Sequence, residues 1–168
     1  MDKTAARWIL DFEGYQVRHV FYPLEIALLN VDRTNVCYNW HIRYEVFPAT
    51  YDASTTRQFQ LHGLYWKHGN KNLHVALDEL RKVVNEYGEL EQRHIIFVKG
   101  LEKTNWVKRW FYCNDSIVVR EILNAPSFSD FSLLDGAQYA CIHHTDAFHL
   151  RCASRKVYQM LPYVNAMD

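Results

Sequence analysis

The spacing of apolar residues changes along the chain, and this change restricts the fold more than any other sequence feature. Residues 36–47, VCYNWHIRYEVF, alternate between apolar and polar, which predicts a strand, and two apolar runs precede them in RWILDFEG and PLEIALLNVD. In residues 73–87 the apolar positions recur at helical spacing up to Gly88, which predicts an amphipathic helix. The chain therefore begins with strands and continues with a helix.

The remaining segments extend this order to βββαβαβα. HIIFVKG and SIVVREI are short apolar runs typical of buried strands, whereas EKTNWVKRWFY and CASRKVYQMLPYV have helical patterns. Successive strands favour an antiparallel meander, and strands joined by helices favour parallel neighbours. We expect an α/β fold with a mixed five-stranded sheet, the first three strands antiparallel and the last two parallel, and helices on both faces. Nothing resembling a linker divides the 168 residues, so we expect a single domain over residues 1–168.

Composition narrows the function only slightly. Hydrophobic residues make up 49% and the formal net charge is zero, so a nucleic-acid partner must be sought in local basic patches. A zinc-dependent nucleobase deaminase is excluded because the chain has no C-x-x-C. No apolar run approaches the roughly 20 residues of a membrane span, and the N-terminal residues lack a signal-peptide pattern. We expect an intracellular protein with no membrane partner.

The segment CIHHTDAFHLRC holds two cysteines and three histidines. Cys141, His144 and Cys152 follow the spacing C-x2-H-x7-C, and such donors can converge on one tetrahedral zinc ion. His149 is a rival nitrogen ligand, and His143 is a weaker one. The cysteines can also be small buried hydrophobic residues, with the histidines at the surface. Without a secretory signal, a metal site or free thiols are preferred to disulfides.

The order of the elements, with an acidic pair ending the first strand, resembles the ribonuclease H-like fold in its DEDD 3′-to-5′ exonuclease branch. DFEG stands where these exonucleases carry D-x-E, PLEIALL where they carry a P-x-E-I-A-type strand, and LHGLYW where they carry an I-H-G-I turn. The resemblance covers nearly the whole chain and places Asp11 and Glu13 in the first acidic motif. In that family, carboxylates hold two Mg²⁺ or Mn²⁺ ions about 4 Å apart.

Lysines stand where the resemblance calls for the other acidic residues. VKGLEK puts Lys103 at one aspartate position, beside Glu102, and RCASRK puts Lys156 at another. Ammonium groups there would repel the cations that the two-metal mechanism requires, so we expect a degenerate nuclease centre. An active Mg²⁺- or Mn²⁺-dependent exonuclease is the alternative, with Glu102 or Asp146 supplying a carboxylate if the alignment shifts by one residue.

The C-x2-H-x7-C spacing resembles the Maelstrom domain, a nuclease-fold domain of germline RNA silencing. In that family a glutamate of the second strand is the fourth zinc ligand, and FYPLEIALL puts Glu25 at the matching position. The resemblance implies a structural zinc ion held by Glu25, Cys141, His144 and Cys152. It also implies a role in RNA silencing, such as the piRNA pathway, in the cytoplasm, nucleus or perinuclear granules, with silencing-complex proteins as partners.

Basic and aromatic residues alternate in VKGLEKTNWVKRWFY, and more basic residues follow in HLRCASRK. Cations bind phosphates and exposed rings stack on bases, so we expect single-stranded RNA binding, with at most weak ribonuclease activity that does not use two metals. The candidate residues are Lys99, Lys103, Lys108, Arg109, Arg151, Arg155 and Lys156. The opposite interpretation, that the rings are core and the lysines a solvated helix face, has equal weight. A protein-interaction scaffold without RNA binding is the other class that we consider.

Overall fold

The computed structural model describes residues 4–46, 53–127 and 152–167, and these residues form five strands and four helices. The elements in chain order are β1 (Ala6–Val17), β2 (Val20–Asn30), β3 (Cys37–His41), α1 (Ala53–His62), α2 (Leu73–Glu86), β4 (His94–Val98), α3 (Leu101–Trp110), β5 (Ile117–Glu121) and α4 (Ala153–Asn165). The strands form one sheet in the order β3-β2-β1-β4-β5. β1 and β3 pair with β2 antiparallel, whereas β4 pairs with β1 and β5 parallel. The predicted α/β class and mixed sheet are confirmed.

The central strand β1 is covered on both faces. Trp8 and Phe12 pack with α2 and α3 in one apolar cluster, whereas Ile9 packs with α4 in a second cluster on the opposite face. Because side chains alternate along a strand, a strand buried on both faces needs apolar residues at almost every position. Asp11 and Glu13 interrupt this run, so both carboxylates enter the protein on the face that α4 covers.

Strand β3 ends earlier than the sequence predicts. Its last residue is His41, although the alternation of apolar residues continues beyond it. The following backbone bonds instead to a later segment: the Arg43 N–H donates to the Lys71 carbonyl and the Tyr44 N–H to the Trp66 carbonyl, both at 2.7 Å. The alternation of apolar residues therefore extends past the end of β3, into residues whose backbone bonds to the segment between α1 and α2 instead of to β2.

Helix α1 is an element that the sequence analysis did not predict. Its apolar residues form no clear stripe, and tertiary contacts hold it instead. The Gln16 N–H donates to Gln58 Oε1 at 2.6 Å, and Gln58 Nε2 donates to the Gln16 carbonyl at 2.9 Å. These paired bonds fix the helix against the end of β1, where intrinsic propensity alone gives little signal.

The other helices lie close to their predicted positions. Asn72 caps α2, since its Oδ1 accepts a hydrogen bond from the Val75 N–H at 2.9 Å. Gly100 precedes α3 with φ at 87°, a conformation that glycine adopts readily, and Cys152 precedes α4. No helix in the described ranges is long and apolar enough to cross a bilayer.

A buried histidine lies at the end of the sheet where β1 and β4 begin. The Trp8 indole N–H donates to His94 Nδ1 at 3.3 Å, and the His94 side chain is buried. Burial lowers the pKa of His94, so the neutral ring that accepts this bond persists at neutral pH. His94 is therefore a core residue of the fold, and the acidic pair lies further along β1, towards its other end.

Candidate functional site

The acidic pair precedes an irregularity in β1. Asp11 and Glu13 occupy alternate positions and so lie on one face of the strand, and the register with β2 shifts between Glu13 and Gly14. A Cβ atom on Gly14 would collide with the backbone of β2, including the amide nitrogen of Leu24 at 2.9 Å. Glycine is therefore required at the last position of the DFEG motif, and the bulge follows directly after the two carboxylates.

Lys103 reaches the acidic pair from the first turn of α3. Its Nζ lies 2.8 Å from Asp11 Oδ1 and 3.4 Å from Glu13 Oε1. The sharp turn at Gly100 takes the chain directly from β4 into this helix, so the lysine projects back over the neighbouring strand. The lysine of VKGLEK thus contacts the carboxylates that the resemblance assigns to metal ions.

Lys156 reaches the same carboxylates from the first turn of α4. Its Nζ contacts Glu13 Oε1 and lies 3.9 Å from Asp11 Oδ2, and its side chain is only 2% exposed. Burial lowers the pKa of Lys156, and the negative charge of Asp11 opposes this shift. Asp11, Glu13, Lys103 and Lys156 therefore form one group of two carboxylates and two amines, which we call the charge cluster.

The charge cluster balances its own charge when all four groups are ionised. A divalent cation bound between Asp11 and Glu13 would lie close to two ammonium groups, and like charges repel strongly at about 4 Å in a partly buried site. This arrangement does not fit the Mg²⁺ or Mn²⁺ ions of a two-metal nuclease. Across the described residues, no group of three or more His, Cys, Asp or Glu side chains is placed to hold a metal ion.

Glu102, one of the two carboxylates that a shifted alignment would use, lies outside the charge cluster. Glu102 is exposed, and its Oε1 accepts a hydrogen bond from Gln16 Nε2 at 2.8 Å. This bond ties the start of α3 to the end of β1 and directs the Glu102 carboxylate to Gln16. Asp146 lies outside the described residues.

Two of the four predicted zinc ligands lie together. Glu25 is fully buried on β2, and its Oε1 lies 3.6 Å from the Sγ atom of Cys152, which is also fully buried. The Ala153 N–H at the start of α4 donates to the same carboxylate oxygen. Glu25 therefore holds the first turn of α4 against the sheet. The remaining candidate ligands lie outside the described residues: Cys141, His144, His143 and His149.

Cys37 is a neighbour of this pair that the sequence analysis did not identify. Burial raises the pKa of the Cys37 thiol to about 11; a hydrogen bond with Tyr158 opposes the shift, and the nearby Cys152 and Glu25 add to it. The Cys37 thiol therefore stays protonated at neutral pH. The β2–β3 register brings Cys37 to this face of the sheet, opposite Leu29.

Two of the seven basic residues predicted to bind RNA point into the protein, since Arg155 is fully buried and Lys156 is 2% exposed. Lys103 is partly buried and contacts Asp11 and Glu13. A phosphate group reaches a cation only at the surface, so the Arg155 and Lys156 side chains lack access to RNA in this conformation.

The other candidates lie elsewhere on the chain. Lys108 and Arg109 are exposed on the last turn of α3, and Lys99 is half-buried just before that helix. The Arg109 guanidinium lies 4.7 Å from the centre of the Trp106 ring. Arg151 lies outside the described residues. We call the pair formed by Lys108 and Arg109 the α3 basic surface, and Lys99 lies at the other end of the helix.

Most aromatic residues of this segment belong to the core. Trp106 and Trp110 pack against the apolar cluster between the sheet and helices α2 and α3, and Phe111 is part of that cluster. Tyr112, by contrast, is 82% exposed. The core interpretation therefore applies to three of these four rings, and Tyr112 is accessible for base stacking.

Two comparisons with known proteins found no match for this chain. No protein-family model matches the chain, and no curated protein matches it. The structure is that of an α/β protein with a mixed sheet. The resemblance to Maelstrom domains is a hypothesis based on sequence motifs.

Removing one member of the charge cluster should destabilise the protein far more than removing an exposed lysine. Lys156→Met leaves Glu13 and Asp11 with too little positive charge nearby, so we expect the free energy of unfolding to fall by about 3 kcal/mol. Lys108→Met, on the exposed side of α3, should change it by less than about 0.5 kcal/mol. Urea denaturation of both variants measures this difference.

The double variant Glu13→Gln/Lys156→Met provides the control. It removes one carboxylate together with one amine, so it should be more stable than Lys156→Met alone by at least about 1 kcal/mol. Equal losses of stability in Lys156→Met and Lys108→Met would show that the contacts of Lys156 contribute nothing to the fold.

Proposed function

We propose that this protein is a zinc-stabilised, catalytically degenerate exonuclease-fold domain that binds single-stranded RNA. One observation carries the proposal: Lys103 and Lys156 contact Asp11 and Glu13, the carboxylates that would otherwise hold catalytic cations. A chain that fills this position with its own ammonium groups can keep the fold of a nuclease while losing its two-metal reaction. Any ribonuclease activity is then weak and independent of two metals. A role in RNA silencing, with silencing-complex proteins as partners, follows from the resemblance to Maelstrom domains.

The contact between Glu25 and Cys152 supports the zinc part of the proposal. Oxygen and sulfur ligands of one tetrahedral zinc ion lie about 3.6 Å apart, given the usual bond lengths. Glu25 Oε1 and Cys152 Sγ lie 3.6 Å apart, and both residues are buried. Cys141 and His144 would complete the site. Such an ion would join β2 to α4 and stabilise the fold.

Zinc content tests this site directly. Protein purified without chelators should contain about one equivalent of zinc, and Cys152→Ser should lose the metal together with several kcal/mol of stability. Cys113→Ser is the matched control, because Cys113 is exposed and should not affect zinc content. Elemental analysis and thermal denaturation provide the readouts. A well-folded wild type without zinc would contradict the proposal.

The α3 basic surface supports the RNA-binding part of the proposal. Lys108 and Arg109 are exposed, and the Trp106 ring beside Arg109 holds the guanidinium in a position from which it can bind a phosphate. Two phosphate contacts on a single strand give a log–log salt slope of about −1.4, which corresponds to modest affinity.

A gel-shift experiment with labelled single-stranded RNA tests this surface. The wild type should shift the RNA at low salt, and the double variant Lys108→Glu/Arg109→Glu should bind at least about tenfold more weakly because it reverses two charges. Lys82→Glu on α2 is the control, since Lys82 is exposed but lies outside the α3 basic surface. Lys82→Glu reverses one charge, so a loss of affinity half as large on a logarithmic scale as that of the double variant would mean that binding depends only on net charge.

The burial of Arg155 and Lys156, together with the pairing of Lys103 with Asp11, favours a second candidate, a protein-interaction scaffold. These residues are the cations expected at the ancestral substrate position, so fewer positive charges are accessible to RNA there. If the wild type shifts no RNA even at low salt, the scaffold replaces RNA binding as the function. The zinc part of the proposal is unaffected by that result.

A further inference from the structure

Two histidines meet at the end of β3. His41 Nδ1 lies 3.0 Å from Nε2 of His68, which belongs to the segment between α1 and α2. Backbone bonds fix this segment, since the Asn70 N–H donates to the His41 carbonyl at 3.3 Å and the His68 N–H to the Tyr65 carbonyl at 3.0 Å. A Cβ atom on Gly69 would collide with the His41 backbone, so glycine permits the close approach. The backbone therefore positions the two rings.

The hydrogen bonds determine which nitrogens carry protons. His68 Nδ1 lies 2.9 Å from the Tyr65 carbonyl oxygen, which can only accept, so Nδ1 carries the proton. In a neutral ring Nε2 then holds a lone pair, and this lone pair faces His41. Histidines that bind metals commonly donate their other ring N–H to a backbone carbonyl. His68 thus has the orientation and the tautomer of a metal ligand.

The spacing of the two nitrogens fits a single metal ion. Two nitrogens bound at about 2.0–2.1 Å lie about 2.9–3.4 Å apart for square-planar to tetrahedral angles. His41 Nδ1 and His68 Nε2 are 3.0 Å apart. The His41 Nδ1–H donates to His68 Nε2. A bound ion would lie to one side of the line between the two nitrogens, and the His41 Nδ1 proton would be released to solvent.

A cavity beside the two rings has room for further ligands. It has a volume of about 320 Å³ and is lined by His41, His68, Asn39 and Asn70, among others. Asn39 lies two residues before His41, on the same face of β3, and its buried Oδ1 has no hydrogen-bond partner in the described part of the chain. An amide oxygen can serve as a third ligand, and water molecules can complete the coordination.

The nearby cationic side chains are neutralised by carboxylates. Lys71 also lines the cavity, but its Nζ lies 2.5 Å from Glu79 Oε2. Arg43, which follows the strand, pairs with Glu45 at 2.9 Å. Because each cation has an acidic partner, the repulsion of an incoming metal ion is reduced.

From this geometry we propose that His41 and His68 bind one divalent transition-metal ion of the zinc, cobalt and nickel class, with the Asn39 amide oxygen as a third ligand. Neither histidine is among the ligands that the sequence predicted for zinc. His41 lies opposite Glu25 in the β2–β3 register, so this site and the zinc site of the proposed function would be neighbours. The two sites are distinguished by their ligands, because the one at His41 and His68 contains no thiolate.

A cobalt titration of the protein as purified, without an affinity tag, tests the site. We expect one Co²⁺ equivalent that binds without the strong thiolate absorption of a cysteine site. His68→Gln and His41→Gln should each weaken this binding at least about tenfold. His74→Gln is the control, because His74 on α2 is 86% exposed, and it should bind as tightly as the wild type. Equal cobalt affinity in wild type and His68→Gln would overturn the proposal.

Two further measurements separate loss of metal binding from loss of folding, and this site from the neighbouring zinc site. Imidazole ¹⁵N spectra of the wild type should show metal-induced shifts at Nδ1 of one histidine and Nε2 of another, which needs no variant to fold. Shifts at neither nitrogen would overturn the proposal. Cys152→Ser removes a ligand of the neighbouring site only, so cobalt binding that this variant retains, and that His68→Gln weakens, belongs to the His41–His68 site.

Discussion

The four side chains of the charge cluster lie where β1, α3 and α4 meet, and their contacts determine how these three elements pack together. Moving Lys156 out of water costs several kcal/mol, and the carboxylates of Asp11 and Glu13 beside it offset that cost. Asp11 and Glu13 therefore require α4 to start at this point on the sheet. Because Lys103 contacts the same carboxylates, they also fix the position at which α3 starts. The turn at Gly100 and the bulge at Gly14 are the backbone features that bring these elements together.

The face of the sheet under α4 has a polar end and an apolar end. At the polar end, Glu25 accepts the Ala153 N–H, and Asn39 Nδ2 donates to Ser154 Oγ. At the apolar end, α4 residues such as Val157 pack on the sheet in the second apolar cluster. The charge cluster, Glu25 and Asn39 therefore share the polar end, where the resemblance expects a nuclease centre. Internal ion pairs and hydrogen bonds occupy this region, and the α3 basic surface lies elsewhere.

Local pattern and sequence motifs predicted much of this arrangement. Apolar runs and one period-two segment located the strands, helical spacing located three of the helices, and motif alignment placed Lys103 and Lys156 at one site. Pattern alone could not show that Arg155 and Lys156 point inwards, because charged residues on a helix usually face solvent. The contact between His41 and His68 depends on how a loop returns to the sheet edge, which no local periodicity encodes.

The central claim is that ammonium groups have replaced the catalytic metal ions, and a nuclease time course tests it most directly. Single-stranded RNA labelled at its 5′ end is incubated with the protein in Mg²⁺ or Mn²⁺ and resolved at single-nucleotide resolution. Wild type and Asp11→Ala should leave the RNA equally intact, because the charge cluster excludes divalent cations. A ladder of single-nucleotide losses from the 3′ end, present in wild type and abolished by Asp11→Ala, would contradict the claim.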